Sequence, residues 1–135
     1  MSLQFSVAVR NARADATEST IGTAALMEIR TGAPPATCAT ASSGTVLATL
    51  PLPSDYMAAA SAGAKAAAGT WQDTAADAAG TAGHFRIYDT AGTTCHVQGT
   101  VTATAGGGDL TLDNAVLAVG QLVTITSFTL TEGNA

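Results

Sequence analysis

"HFRIYDTAGTTCHVQGT", residues 84–100, decides how this chain is read. It gathers both histidines, one of the two cysteines and the Arg86/Asp89 pair, so it is either a reactive site or two strands around a turn. Phe85, Ile87 and Val97 alternate with His84, Arg86 and Tyr88, and "DTAGTT" has turn composition, which predicts two antiparallel strands. A Cys–His nucleophile needs a third group to orient its base, and none stands at a recognisable spacing. Zinc sites place ligands in tight pairs such as C-x₂₋₄-C, whereas adjacent Cys95 and His96 point to opposite faces of a strand. No enzyme activity, catalytic residue, metal or cofactor is therefore expected. Cys95 reads as a small buried apolar residue and His96 as a surface residue.

Working outward, the rest of the last third carries the same signature. "DLTLDN" (109–114), "AVLAV" (115–119) and "QLVTITSFTLTEG" (121–133) are Thr/Val-rich alternating segments. The last is expected as one long strand, its pattern slipping at Leu130 as at a bulge. "AGGGD" (105–109) lacks the lysine and following helix of a phosphate loop and reads as a flexible hairpin connection. Asp109 and Asp113 read as turn-closing residues.

Upstream, strands are expected at 24–30 and 45–53, joined by the turn-rich loop "TGAPPATCATASSG" (31–44). Residues 54–82 are rich in alanine but broken by Gly63, Gly69 and Gly80; they read as a short strand or turn at 55–60, a surface loop around Lys65 and a strand near "GTWQD". A short echo links "LMEIRTGAPPATC" (26–38) to "HFRIYDTAGTTC" (84–95), each a strand, a Gly-bearing turn and a cysteine. Residues 6–22 form the one convincing helix, capped by Ser6 and closed by Gly22. Its packing stripe is expected through Val9, Ala12, Ala16 and Thr20 or Ser19, with Arg10, Arg13, Asp15 and Glu18 in solvent. Ala12→Glu or Ala16→Glu is then expected to destabilise the fold.

The chain thus reads as one mainly β domain over 1–135, an antiparallel β-sandwich or barrel-like fold with one N-terminal α-helix (6–22) and strands and loops over 24–133. Its 135 residues suffice for one core, although only six are aromatic and alanine dominates the apolar content. That thin core favours burial against a partner. Ten acidic against five basic residues give a net charge of −5, and five scattered cations build no nucleic-acid patch. No run approaches the length of a membrane span and no secretory signal opens the chain, so synthesis in the cytoplasm is expected. There Cys38 and Cys95 are expected as free thiols, a disulfide being the lesser alternative. Trp71 and Tyr56 read as core residues, with stacking on a sugar ring as the alternative. Together with Tyr88, Arg86 and His84 they make the candidate contact surface.

The segments "VAVRNARADATESTIGTAALMEIRTGAPPA", "GTVLATLPLPSDYM", "GTAGHFRIYDTAGTTCHVQGTV" and "DLTLDNAVLAVGQLVTITSFTLTEGNA" resemble a family of small tailed-bacteriophage virion structural proteins over nearly the full length. The resemblance carries no catalytic signature. It implies a capsid decoration (cement) protein in the virion that binds the outer shell and bridges major capsid subunits, as a homo-oligomer with a trimer favoured. The alternative is a tail or baseplate component, or a receptor- or glycan-binding module with Trp71, Tyr56 and Tyr88 as its platform.

Overall fold

Alternating apolar positions on five segments build the main sheet. The computed structural model describes residues 2–134. Strands β1 (Leu26–Thr31), β2 (Val46–Pro51), β5 (Gly80–Tyr88), β6 (Cys95–Ala103) and β7 (Leu110–Leu112) are ordered β2-β1-β5-β6-β7, and β8 (Val116–Leu117) pairs with the start of β5. Two small ribbons pair β3 (Ala64–Ala66) with β10 (Thr129–Thr131) and β4 (Trp71–Asp73) with β9 (Val123–Ile125). The protein is mainly β, with curled sheets in a sandwich- or barrel-like arrangement and one N-terminal helix, as the sequence predicts.

The core lies between the main sheet and the ribbons. Tyr56, Trp71, Phe128 and Phe85 form a continuous aromatic chain with centroid spacings of 6.1, 5.5 and 5.5 Å, the last contact edge-on at 81°. Such pairs add about 0.5–1.5 kcal/mol each beyond area burial, so four aromatics offset much of what the alanines do not supply. The Trp71 indole N–H is satisfied by the Tyr56 and Ala68 carbonyls at 3.0 and 3.2 Å.

Three expectations change in the structure. The final segment is two strands, because Thr126 and Ser127 interrupt it so that Val123, Ile125 and Phe128 can all face the core. The connection "AGGGD" is a compact return loop that brings β7 alongside β6 in parallel, not a hairpin. Its glycines are required sterically, since a Cβ at Gly106 or Gly108 would come within 2.6 or 2.9 Å of Thr102. Asp109 fastens the loop by accepting from the Thr100 amide and hydroxyl at 2.8 and 3.0 Å. Lys65 is not on a surface loop; it sits on β3 with its side chain only 3% exposed.

That lysine sets the orientation of helix α1 (Val7–Ile21). Ser6 Oγ accepts the Val9 amide and the Gly22 amide donates to the Glu18 carbonyl, so both expected caps are present. The packing face is a different one. Ala14 and Ile21 are buried, Asn11 Oδ1 accepts the Gly63 amide at 2.7 Å, and Asp15 and Glu18 take Lys65 Nζ at 2.8 and 2.7 Å. The third ammonium proton goes to the Ala58 carbonyl at 2.9 Å. Ala12 and Ala16 face solvent. Burying an alanine methyl stabilises by about 0.8 kcal/mol, whereas a buried ammonium without partners costs several times that. The helix therefore turns Asp15 and Glu18 toward the buried Lys65 ammonium.

Lys65→Ala is expected to cost about 2–4 kcal/mol, because it strips Asp15 and Glu18 of their cation and removes a buried stem. Ala12→Glu and Ala16→Glu are expected within about 0.5 kcal/mol of the parent, reversing the expectation from the sequence. Urea unfolding followed by circular dichroism distinguishes the two helix orientations.

Stability is also expected to fall at both ends of the pH range. Burial opposes the Lys65 charge, but its bonds to Asp15 and Glu18 outweigh that and raise its pKa above 10.5. The stabilisation is complete below that value and is lost as rising pH passes the folded pKa. Asp15, held by the Lys65 hydrogen bond, and Asp89 and Asp109, held by the Thr93 and Thr100 amides, are lowered below 3.8. Their stabilisation is present above 3.8 and is lost as pH falls through their folded values. Urea midpoints measured across pH should show these two limbs; a flat profile would remove the lysine and aspartate clasps from the stability of the fold.

Candidate functional site

The outward face of the main sheet is polar, and it is covered. The register aligns Glu28, Arg86 and Gln98 across β1, β5 and β6, and Leu26, Tyr88 and Cys95 beside them. The loop over residues 32–45, which joins β1 to β2, folds back over this row. His84 Nδ1 lies 2.9 Å from the Gly32 carbonyl, and Gln98 Nε2 donates to the Pro35 carbonyl at 2.6 Å. Arg30 Nη1 donates to the Ser43 and Gly44 carbonyls, both at 3.3 Å, while its Nε and Nη2 hold Glu28.

Arg86 is the centre of the arrangement. It is 2% exposed, and its guanidinium donates to Cys38 O (2.6 Å), Thr40 O (3.1 Å), Ser42 Oγ (2.9 Å) and Cys95 Sγ (3.1 Å). Tyr88 lends its ring to the guanidinium at 5.6 Å and its hydroxyl to Ser42 at 2.7 Å. Among the described residues no carboxylate lies within ion-pair distance of Arg86. Its charge is distributed instead over loop carbonyls and a sulfur, the arrangement a buried cation needs in the absence of an anion.

Two bulges make this geometry. Ile87 pairs with Val97 and Tyr88 with Cys95, so His96 is the extra residue, and Cys95 comes opposite Tyr88 on the covered face. A regular strand would leave Cys95 on the same face as Val97; with the bulge it is half-buried beside Arg86, not the buried apolar residue expected from the sequence. His96 instead borders a shallow depression beneath α1 with Arg13, Thr17 and Ile21. At the second bulge Gly83 is skipped between Arg30 and Thr31, and a Cβ there would overlap the Gly32 backbone. Only glycine lets the loop lie this close.

The five residues read as a contact surface are therefore corrected: none faces solvent. Tyr56 and Trp71 are 0% and 1% exposed in the aromatic core, with burial and then Glu18 pushing the Tyr56 hydroxyl up to about 12. His84, Arg86 and Tyr88 come together, at 0%, 2% and 6% exposure, beneath the loop. Period-two alternation assigned them correctly to one face, but it does not register a loop lying over that face. The signal for the loop was its own composition, since "TGAPPATCATASSG" has no charged residue to hold it in water.

The surface that remains apolar lies elsewhere. The exposed large apolar side chains among the described residues are Leu3, Phe5, Val7 and Val9 in the N-terminal segment, and Val116 on β8 with Val119 and Leu122 in the β8–β9 connection. Beside the second group is a shallow groove of ≈ 210 Å³ lined by Leu112, Asn114, Leu117 and Gln121. Comparison with protein-family models, with curated proteins and with solved structures finds no match.

Arg86→Lys, which leaves three donors where four are used, is expected to cost about 2–4 kcal/mol. Gly83→Ala should lift the loop by steric overlap. Both variants are expected to be cleaved within residues 33–43 by a broad-specificity protease under conditions where the parent is not. Equal resistance in all three would show that the loop is held by other contacts.

Proposed function

We propose that the protein is a bacteriophage virion structural protein that acts by binding other proteins, as a capsid decoration protein bridging neighbouring major capsid subunits. The observation that carries this reading is the distribution of exposed apolar residues. Leu3, Phe5, Val7 and Val9 fall in one short segment, and Val116, Val119 and Leu122 in another, at exposures of 38–72%. Large apolar side chains left exposed in two short segments offer area for docking against other proteins. Two separate groups suit a protein that touches two neighbours at once. The resemblance of the sequence to small phage structural proteins points the same way.

The mechanism is additive burial. Each copy seated across a subunit boundary must be detached before the subunits separate, so many modest contacts raise the temperature at which the shell opens. A homotrimer suits local threefold positions of such a shell. The glycan-platform version of the alternative loses its support, because Tyr56, Trp71 and Tyr88 are enclosed.

The test is co-sedimentation of the purified chain with expanded heads and with tails from the phage that encodes it. Binding to heads, with a higher head-disruption temperature, is the expected result. Val119→Asp/Leu122→Asp is expected to weaken it about 100-fold or more, from losses of about 1.5–3 kcal/mol for each of the two apolar side chains, with the unfolding temperature unchanged. Binding to tails alone would establish the tail reading, and binding to neither would overturn both. Light scattering after size exclusion should give three times the 13.3 kDa chain mass.

A further inference from the structure

The loop and the sheet each bring one cysteine to the same place. Cys38 and Cys95 are far apart in sequence, yet both meet the Nε–Nη2 edge of Arg86, Cys38 through its carbonyl at 2.6 Å and Cys95 through its sulfur at 3.1 Å. Cys95 reaches that edge only because the His96 bulge turns it to the covered face. Nε and Nη2 are adjacent donors of one guanidinium, so the two cysteines converge on a single edge; burial, then Cys95, pushes the Cys38 thiol up, against a smaller opposite pull from Arg86. Both are free, and both are only partly buried, so a small reagent can reach them. A structural role for Cys38 needs only its carbonyl, which any residue supplies, and leaves its sulfur unexplained.

We propose that Cys38 and Cys95 form a redox-active dithiol that closes to an intramolecular disulfide by exchange with a small-molecule disulfide, fastening loop 32–45 covalently to β6. In the first step the thiolate of one cysteine attacks the small disulfide, forming a mixed disulfide and releasing one small thiolate. The thiolate of the other cysteine then attacks the protein sulfur of that mixed disulfide. This forms the Cys38–Cys95 bond and expels the second small thiolate. The protein loses two electrons and two protons, and the small disulfide is reduced to two thiols. A reducing compartment keeps the pair open, and an oxidising medium closes it. The inference does not depend on the capsid reading, because it concerns the fastening of this chain's own loop.

Closure would act where the loop is now held only by hydrogen bonds. It joins residues 38 and 95, a long separation, so the unfolded chain is strongly constrained.

The experiment uses the full chain, purified in reductant, freed of it and equilibrated with oxidised glutathione. Intact mass after denaturation and alkylation should show one chain lacking its two thiol hydrogens, with neither alkylation nor glutathione added. The midpoint of thermal unfolding should rise by roughly 5–15 °C and return on reduction. Cys38→Ser and Cys95→Ser should each stop at a single glutathione adduct with no such rise. Unreacted thiols, two glutathione adducts on the parent, or disulfide-linked dimers would each overturn the proposal. Closure without a rise in the midpoint would overturn the fastening role.

Discussion

A guanidinium buried without a carboxylate must find its acceptors among neutral groups, and Arg86 finds most of them in a loop that the chain would otherwise leave in water. Residues 32–45 are fastened because the sheet presents donors, and the donors are tolerated inside because the loop presents carbonyls. Each side alone would be costly, since unpaired buried donors or acceptors cost about 1–3 kcal/mol apiece. Together they convert a polar sheet face into a second packed layer. The bulges at His96 and Gly83 serve this layer by re-aiming Cys95 and by making room for Gly32.

The same principle operates at the other end of the molecule, where Lys65 draws the helix onto β3 through Asp15 and Glu18. In a chain whose apolar residues are mostly alanine, area burial discriminates weakly between one helix face and another. Desolvated charges discriminate strongly. Two buried cations therefore specify how the peripheral elements seat, while the chain of Tyr56, Trp71, Phe128 and Phe85 supplies the conventional core.

This division bears on the proposed role. A protein that bridges subunits must keep its own shape while its neighbours move, and side-chain bonds to loop backbone provide that stiffness without a large core. The polar residues are spent on internal fastening, and the exposed side chains of the N-terminal segment and of the β8–β9 region are left apolar. A covalent Cys38–Cys95 link would reinforce the loop that hydrogen bonds already hold.

The mainly β class, the helix with its Ser6 and Gly22 caps, and the hairpin across "DTAGTT" were all legible in the sequence, because they rest on local rules: alternation, capping and turn composition. The shared face of His84, Arg86 and Tyr88 was legible for the same reason. Their burial was not, nor were the helix face, the parallel β6–β7 pairing or the meeting of Cys38 with Cys95. Each of those depends on which distant segment lies above a given side chain, and a buried charge selects its neighbours by desolvation, a cost that exists only once the chain has closed around it.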